Sequence, residues 1–95
     1  MKYILNPRIR TRKVKKKTFV YNQETDDLFE LNQTAWLIIE LLNQHDSSIE
    51  MVINQLKIKY ADIPKNTLQE DVNEVFSILL KSNIILHVEN CKNIN

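Results

Sequence analysis

The sequence predicts an α+β domain in which three short strands precede three helices. Three observations predict it. The first third of the chain alternates apolar and polar residues at a period of two, and the remainder repeats apolar residues at helical spacing. Asn, Ser and Thr capping signals stand where the helical spacing begins. At 95 residues the chain holds one core and has no room for a second.

Taken in order, Arg8 to Val14 sets Ile9, Thr11 and Val14 among Arg and Lys, the pattern of an edge strand blunted by charge. Thr18-Phe19-Val20-Tyr21 is a β-branched and aromatic run that suits a second strand. The polar stretch Asn22 to Asp26 reads as a hairpin loop, and Leu28 to Leu31 as a third strand. Alternation puts Phe29 and Leu31 on one face of that strand, with Leu28 and Glu30 on the other.

Asn32 is a good N-cap for a helix over about 33–44, which Trp36, Leu37, Ile38, Ile39, Leu41 and Leu42 make apolar almost all round. His45-Asp46 ends it. Ser47 with Glu50 reads as a capping box opening a second helix, whose face carries Ile49, Val52, Ile53, Leu56 and Tyr60. After a connector containing Pro64, Thr67 with Glu70 reads as another box. Leu68, Val72, Val75, Phe76, Leu79 and Leu80 follow at helical spacing. Asn83 stands in for glycine as a left-handed helix stop, Ile84 to Val88 forms a short last strand, and 89–95 is a polar tail after a single domain over 1–88.

Composition excludes several classes of function. The chain has no glycine, so neither a phosphate-binding P-loop nor a dinucleotide fingerprint exists in it. No apolar run approaches the roughly 20 residues that span a bilayer, and no signal-peptide pattern is present. One cysteine, Cys91, cannot form an internal disulfide and fits a reducing cytoplasm. The net charge of +1 conceals an asymmetry: residues 1–17 hold eight of the 13 basic residues and no acid. Residues 18–95 hold all 12 acidic residues against five basic ones, so a basic leading segment sits on an acidic body.

No catalytic constellation stands out. His87 and Cys91 are spaced like a ligand pair, but zinc needs three or four ligands, so no metal and no cofactor are expected. The carboxylate pair Asp26-Asp27 fits loop polarity, and Glu70-Asp71 fits the N-terminal dipole of a helix. The cluster Arg8, Arg10, Arg12, Lys13, Lys15, Lys16 and Lys17 reads either as a charged edge that prevents aggregation or as the footprint of a nucleic acid or an acidic partner. An acidic protein is the better match of partner, because the rest of the body is itself acidic and no nucleic acid is expected. Leu28, apolar on the face opposite Phe29 and Leu31, either completes the core or marks an edge beside the third helix where an extended peptide adds as a further strand.

The stretch Glu24-Thr25-Asp26-Asp27-Leu28-Phe29-Glu30-Leu31-Asn32-Gln33-Thr34-Ala35 resembles the signature of PqqD-like proteins, the RiPP recognition elements. There a strand ending in Leu-Asn runs straight into a helix that opens with Thr-Gly or Thr-Ala. A Leu-Leu near the end of the first helix, a Ser-Ile-Glu opening to the second, a Tyr closing it and Asp71-Val72 in the third follow in register. The likeness covers about residues 6–86. It implies a winged-helix-like fold and a non-catalytic domain that binds the leader of a ribosomally made precursor peptide and presents it to a maturation enzyme: a radical SAM enzyme, a cyclase or a leader peptidase. Carried onto this chain, the leader lies along Asp27, Leu28, Phe29, Glu30 and Leu31 and in a groove formed by Leu68, Asp71, Val72, Val75, Phe76 and Leu79. Ala35, His45-Asp46 and Asn83 replace glycines common in that family. The exposed strand edge is also suited to pairing with a second copy in a homodimer.

The alternative is a winged-helix DNA-binding regulator. It needs a basic recognition helix. The second helix supplies only Lys57 and Lys59, and the third sets Glu70, Asp71 and Glu74 against Lys81.

Overall fold

The computed structural model describes residues 1–88. The expected strands form as β2 (Ile9–Val14), β3 (Lys17–Asn22) and β4 (Asp27–Leu31), in a separate antiparallel sheet of order β2-β3-β4. A strand not foreseen from the sequence, β1 (Tyr3–Leu5), precedes them, followed later by the helices α1 (Gln33–Gln44), α2 (Ile49–Lys59) and α3 (Lys65–Lys81) and the last strand β5 (Ile85–His87). β1 pairs antiparallel with β5, Tyr3 opposite His87 and Leu5 opposite Ile85, so both ends of the described chain meet in one small sheet. That pairing explains why β1 is hard to read: a three-residue strand has no alternation to display, and its partner lies some eighty residues away.

Register in the larger sheet follows the alternation. Arg10 faces Tyr21, which faces Leu28; Thr11 faces Val20, which faces Phe29. Ile9, Val20 and Asn22 are buried on the face toward the helices, with Phe29 and Leu31 packed against the same core. The two turns do without glycine. Lys15 takes φ 57 in the two-residue turn between Val14 and Lys17, and Asp26 takes φ 62 before β4. Asn22 organises the second turn: its carbonyl accepts from the Asp26 amide at 2.8 Å, and its buried side-chain oxygen accepts from the Glu24 amide at 2.9 Å.

The helices bury one stripe each. Ile38, Ile39 and Leu42 of α1, Val52, Ile53 and Leu56 of α2, and Val72, Phe76 and Leu79 of α3 meet in a single cluster with Val20, Ile84 and Ile85. Tyr3 joins it edge-on to Phe76, ring centroids 5.1 Å apart. Asn32 caps α1 as expected, accepting from the Ala35 amide at 2.8 Å.

Two capping expectations fail. Ser48, rather than Ser47, caps α2, accepting from the Met51 amide at 3.2 Å. Ser47 is held in the core by exchanging backbone hydrogen bonds with Tyr3 at 2.8 and 3.0 Å, so its residue belongs to a strand bridge. α3 starts at Lys65 behind Pro64, two residues before Thr67, because proline is pre-set for a helix start while Thr67 already lies within the first turns. Glu70 and Asp71 therefore fall outside the first turn, and the dipole argument for them does not hold. Asn83 ends α3 at φ 58, as expected. The polar tail 89–95 and Cys91 lie outside the described residues.

Candidate functional site

β4 is an open edge. It pairs with β3 on one side only, so alternate backbone amides and carbonyls of Asp27 to Leu31 face away from the sheet. Its end is firmly placed. The Thr18 hydroxyl donates to the Leu31 carbonyl at 3.0 Å, and the next residue, Asn32, is locked as the α1 cap. Sequence reasoning anticipated this edge from the apolar outer residue Leu28, which is 65% exposed. Asp27 and Glu30 are exposed beside it, whereas Phe29 and Leu31 turn half-buried toward the core.

Where β4 runs into α1, a cleft of about 290 Å³ opens between that junction and α3. Asn32 and Thr34 line one side; Asp71, Glu74, Val75 and Ile78 line the other. The spacing 71, 74, 75, 78 marks one face of a helix. It lies beside the buried stripe of Leu68, Val72, Phe76 and Leu79, which are 5%, 0%, 1% and 2% exposed. Those four side chains were expected in the groove, but the core consumes them: an apolar residue cannot fill the core and face a ligand together. Asp71 and Val75, also expected in the groove, line the cleft. Glu74 and Ile78 were missed, although Ile78 carried a signal, being an apolar residue outside the buried stripe and 56% exposed.

The cleft offers two carboxylates, two aliphatic side chains, one hydroxyl and the edge backbone above it. Among the described residues, no three His, Cys, Asp or Glu side chains gather as a metal site requires. His87 packs at a tilt against Tyr3, ring centroids 4.9 Å apart, in the terminal sheet. Among the described residues, the one titration clearly displaced is on the far side of the sheet. The Tyr21 hydroxyl is held above its ordinary pKa first by its hydrogen bond to the Asp26 carboxylate, then by desolvation and by that same negative charge.

The basic residues do not form a DNA-reading helix. Lys57 of α2 turns back to donate to the carbonyls of Ala61 at 2.9 Å and Ile63 at 2.5 Å, closing its own helix end. α3 presents its acids outward. No helix among the described residues is long and apolar enough to cross a membrane.

The family model for coenzyme PQQ synthesis protein D (PqqD) matches residues 17–85. No curated protein sequence matches the chain. Among solved structures, the chain is similar to TbiB1 in complex with the TbiA(beta) leader peptide, with a TM-score of 0.75 at 13% identity over 86% of this chain and 93% of that one. It is also similar to a lasso peptide synthetase B1 complexed with its leader peptide, with a TM-score of 0.73 at 19% identity over 90% of this chain and 98% of that one. At such identities the likeness is one of fold.

Proposed function

This chain belongs to the PqqD family, and from that premise we propose that it is a non-catalytic adaptor that binds the leader of a ribosomally synthesised precursor peptide and presents it to a maturation enzyme. The observation that carries the reading is the continuity of the open β4 edge with the α3 cleft through Leu31 and Asn32. An extended peptide laid antiparallel or parallel to β4 becomes a fourth strand, taking affinity from backbone hydrogen bonds. Its alternate side chains then reach either Val75 and Ile78 or solvent. Both similar structures hold leader peptides, which supports the same use of this scaffold.

The site residues follow from that pose. Asp27 to Leu31 supply the edge; Thr34, Asp71, Glu74, Val75 and Ile78 supply the pocket. Carboxylates at Asp27, Asp71 and Glu74 select a leader with an aliphatic anchor flanked by Lys or Arg. The enzyme served is a radical SAM enzyme, a cyclase or a leader peptidase, working in the cytoplasm.

Fluorescence polarisation with the labelled leader of the precursor encoded beside this gene tests the proposal. Saturable binding with Kd in the micromolar range, about −8 kcal/mol, is expected. Absence of saturable binding to that leader at millimolar protein would end it.

A further inference from the structure

The face of the three-stranded sheet turned away from the helices is not covered by any part of the described chain. Register places Arg10, Tyr21 and Leu28 in one row across it and Arg12, Phe19 and Glu30 in the next, with Val14 beyond. Phe19 is half-buried, while Val14, Tyr21 and Leu28 are 45%, 37% and 65% exposed, and the surface between them is hollowed by about 480 Å³. Val14, Tyr21 and Leu28 contribute little by burial, because the core is on the other face. An exposed apolar surface of this kind marks an interaction site.

Charge decides what fits it. Arg8, just before β2, already pairs with Glu24 at 3.6 Å, and Lys17 of β3 with Glu30 at 3.8 Å. Arg10 and Arg12 have no ion pair among the described residues, and they flank the apolar hollow. The Arg10 guanidinium is held in place by donating to the carbonyls of Pro7 at 3.0 Å and Ile9 at 3.2 Å. Packing this face against itself in a second copy offers each arginine pair only Glu30, which already pairs with Lys17 at 3.8 Å, so the arginines stay under-matched. A phosphate backbone pairs with the arginines but leaves the apolar hollow between them unfilled, whereas an acidic segment carrying an apolar side chain satisfies both.

We propose that this outer sheet face is a second docking site, separate from the β4 edge and the α3 cleft, for an acidic protein segment that sets Phe or Leu into the hollow and Asp or Glu against Arg10 and Arg12. Guanidinium–carboxylate pairing supplies orientation, and the aromatic pair Phe19 and Tyr21 supplies contact area.

The test is an amide chemical-shift titration of the whole chain with a synthetic peptide carrying Phe and Leu between glutamates, beside the same peptide with lysines for the glutamates. The acidic peptide is expected to shift Arg10, Arg12, Phe19 and Tyr21 and to bind about tenfold or more tighter than its basic counterpart. The double variant Arg10→Glu/Arg12→Glu reverses that preference and leaves leader binding unchanged. Tyr21→Ser, which keeps both arginines, weakens the acidic peptide alone. Equal affinity for the two peptides overturns the proposal, as does no saturable binding or shifts centred on the α3 cleft or the Lys15–Lys16 turn. Displacement of the acidic peptide by a single-stranded oligonucleotide also overturns it. Because leader affinity is read separately, failure here and failure of the leader-binding function are distinguishable.

Discussion

The Asn6 side-chain amide donates to the Asn83 backbone carbonyl at 2.7 Å, joining residues 77 apart in sequence. Asn6 is buried, and all its polar groups are used. Its side-chain oxygen accepts from the Arg8 amide at 2.9 Å, its backbone amide donates to Ile84 at 2.9 Å, and its carbonyl accepts from Ile9 at 2.9 Å. The left-handed stop of α3 and the lead-in to β2 are thereby one structure. Asn6→Ala strips the partners from buried backbone groups and is expected to cost about 2–3 kcal/mol. Urea denaturation measures it, and a cost near zero would show that water replaces the side chain.

That staple was not legible in the sequence, and the reason is instructive. Asn6 before Pro7 reads as a loop breaker, since nothing local announces a contact with residue 83. The same holds for Ser47, which looks like a helix cap until Tyr3 bridges to it. Local signals were reliable where the physics is local: Asn32 caps α1, Asn83 stops α3, and the β2-β3-β4 hairpins follow period-two alternation. The site was half legible. An open third strand follows from Leu28. A helix with apolar residues on more than one face, however, does not say which face the core will take, and Leu68, Val72, Phe76 and Leu79 went to the core.

Lys15 adopts φ 57, a conformation in which a β-carbon is crowded by the backbone. Its replacement by glycine removes that strain and adds some freedom to the unfolded chain. The expected net gain is about 0.5–1 kcal/mol, which raises Tm by roughly 2–8 °C in a domain of this size. Lys15→Val should do the reverse, since β-branching worsens the same clash. A thermal melt of the two variants that failed to bracket the parent would contradict the strain.

Tyr21 should ionise above its ordinary 10.0, because its hydroxyl donates to Asp26 and the phenolate would face a carboxylate. The raised value favours the neutral ring, so this contact is fully present below the ordinary pKa and is lost as pH rises through the higher one. Asp26→Asn keeps a residue that tolerates positive φ while removing the charge. Phenolate absorbance in an alkaline titration should then show one of the three tyrosines moving back toward 10.0. No movement would mean that the Asp26 contact does not form in solution.

Asp71 and Glu74 differ from the residues between them in what they do, and one pair of variants separates binding from folding. Both carboxylates are exposed on the cleft side of α3, so Asp71→Lys/Glu74→Lys leaves the core intact and changes stability by less than about 1 kcal/mol. If a leader with basic residues lies along β4, the double charge reversal should weaken it by about tenfold or more, and added salt should narrow the difference between variant and parent. Phe76→Ala provides the contrast. Its ring is 1% exposed and meets Tyr3 edge-on, so truncation should cost about 3–5 kcal/mol in stability and reduce leader binding only in proportion to the fraction unfolded. Polarisation titrations beside urea melts of both variants decide the matter. A charge-reversed α3 that binds the leader as well as the parent would move the peptide off this cleft, leaving the β4 edge to account for binding alone.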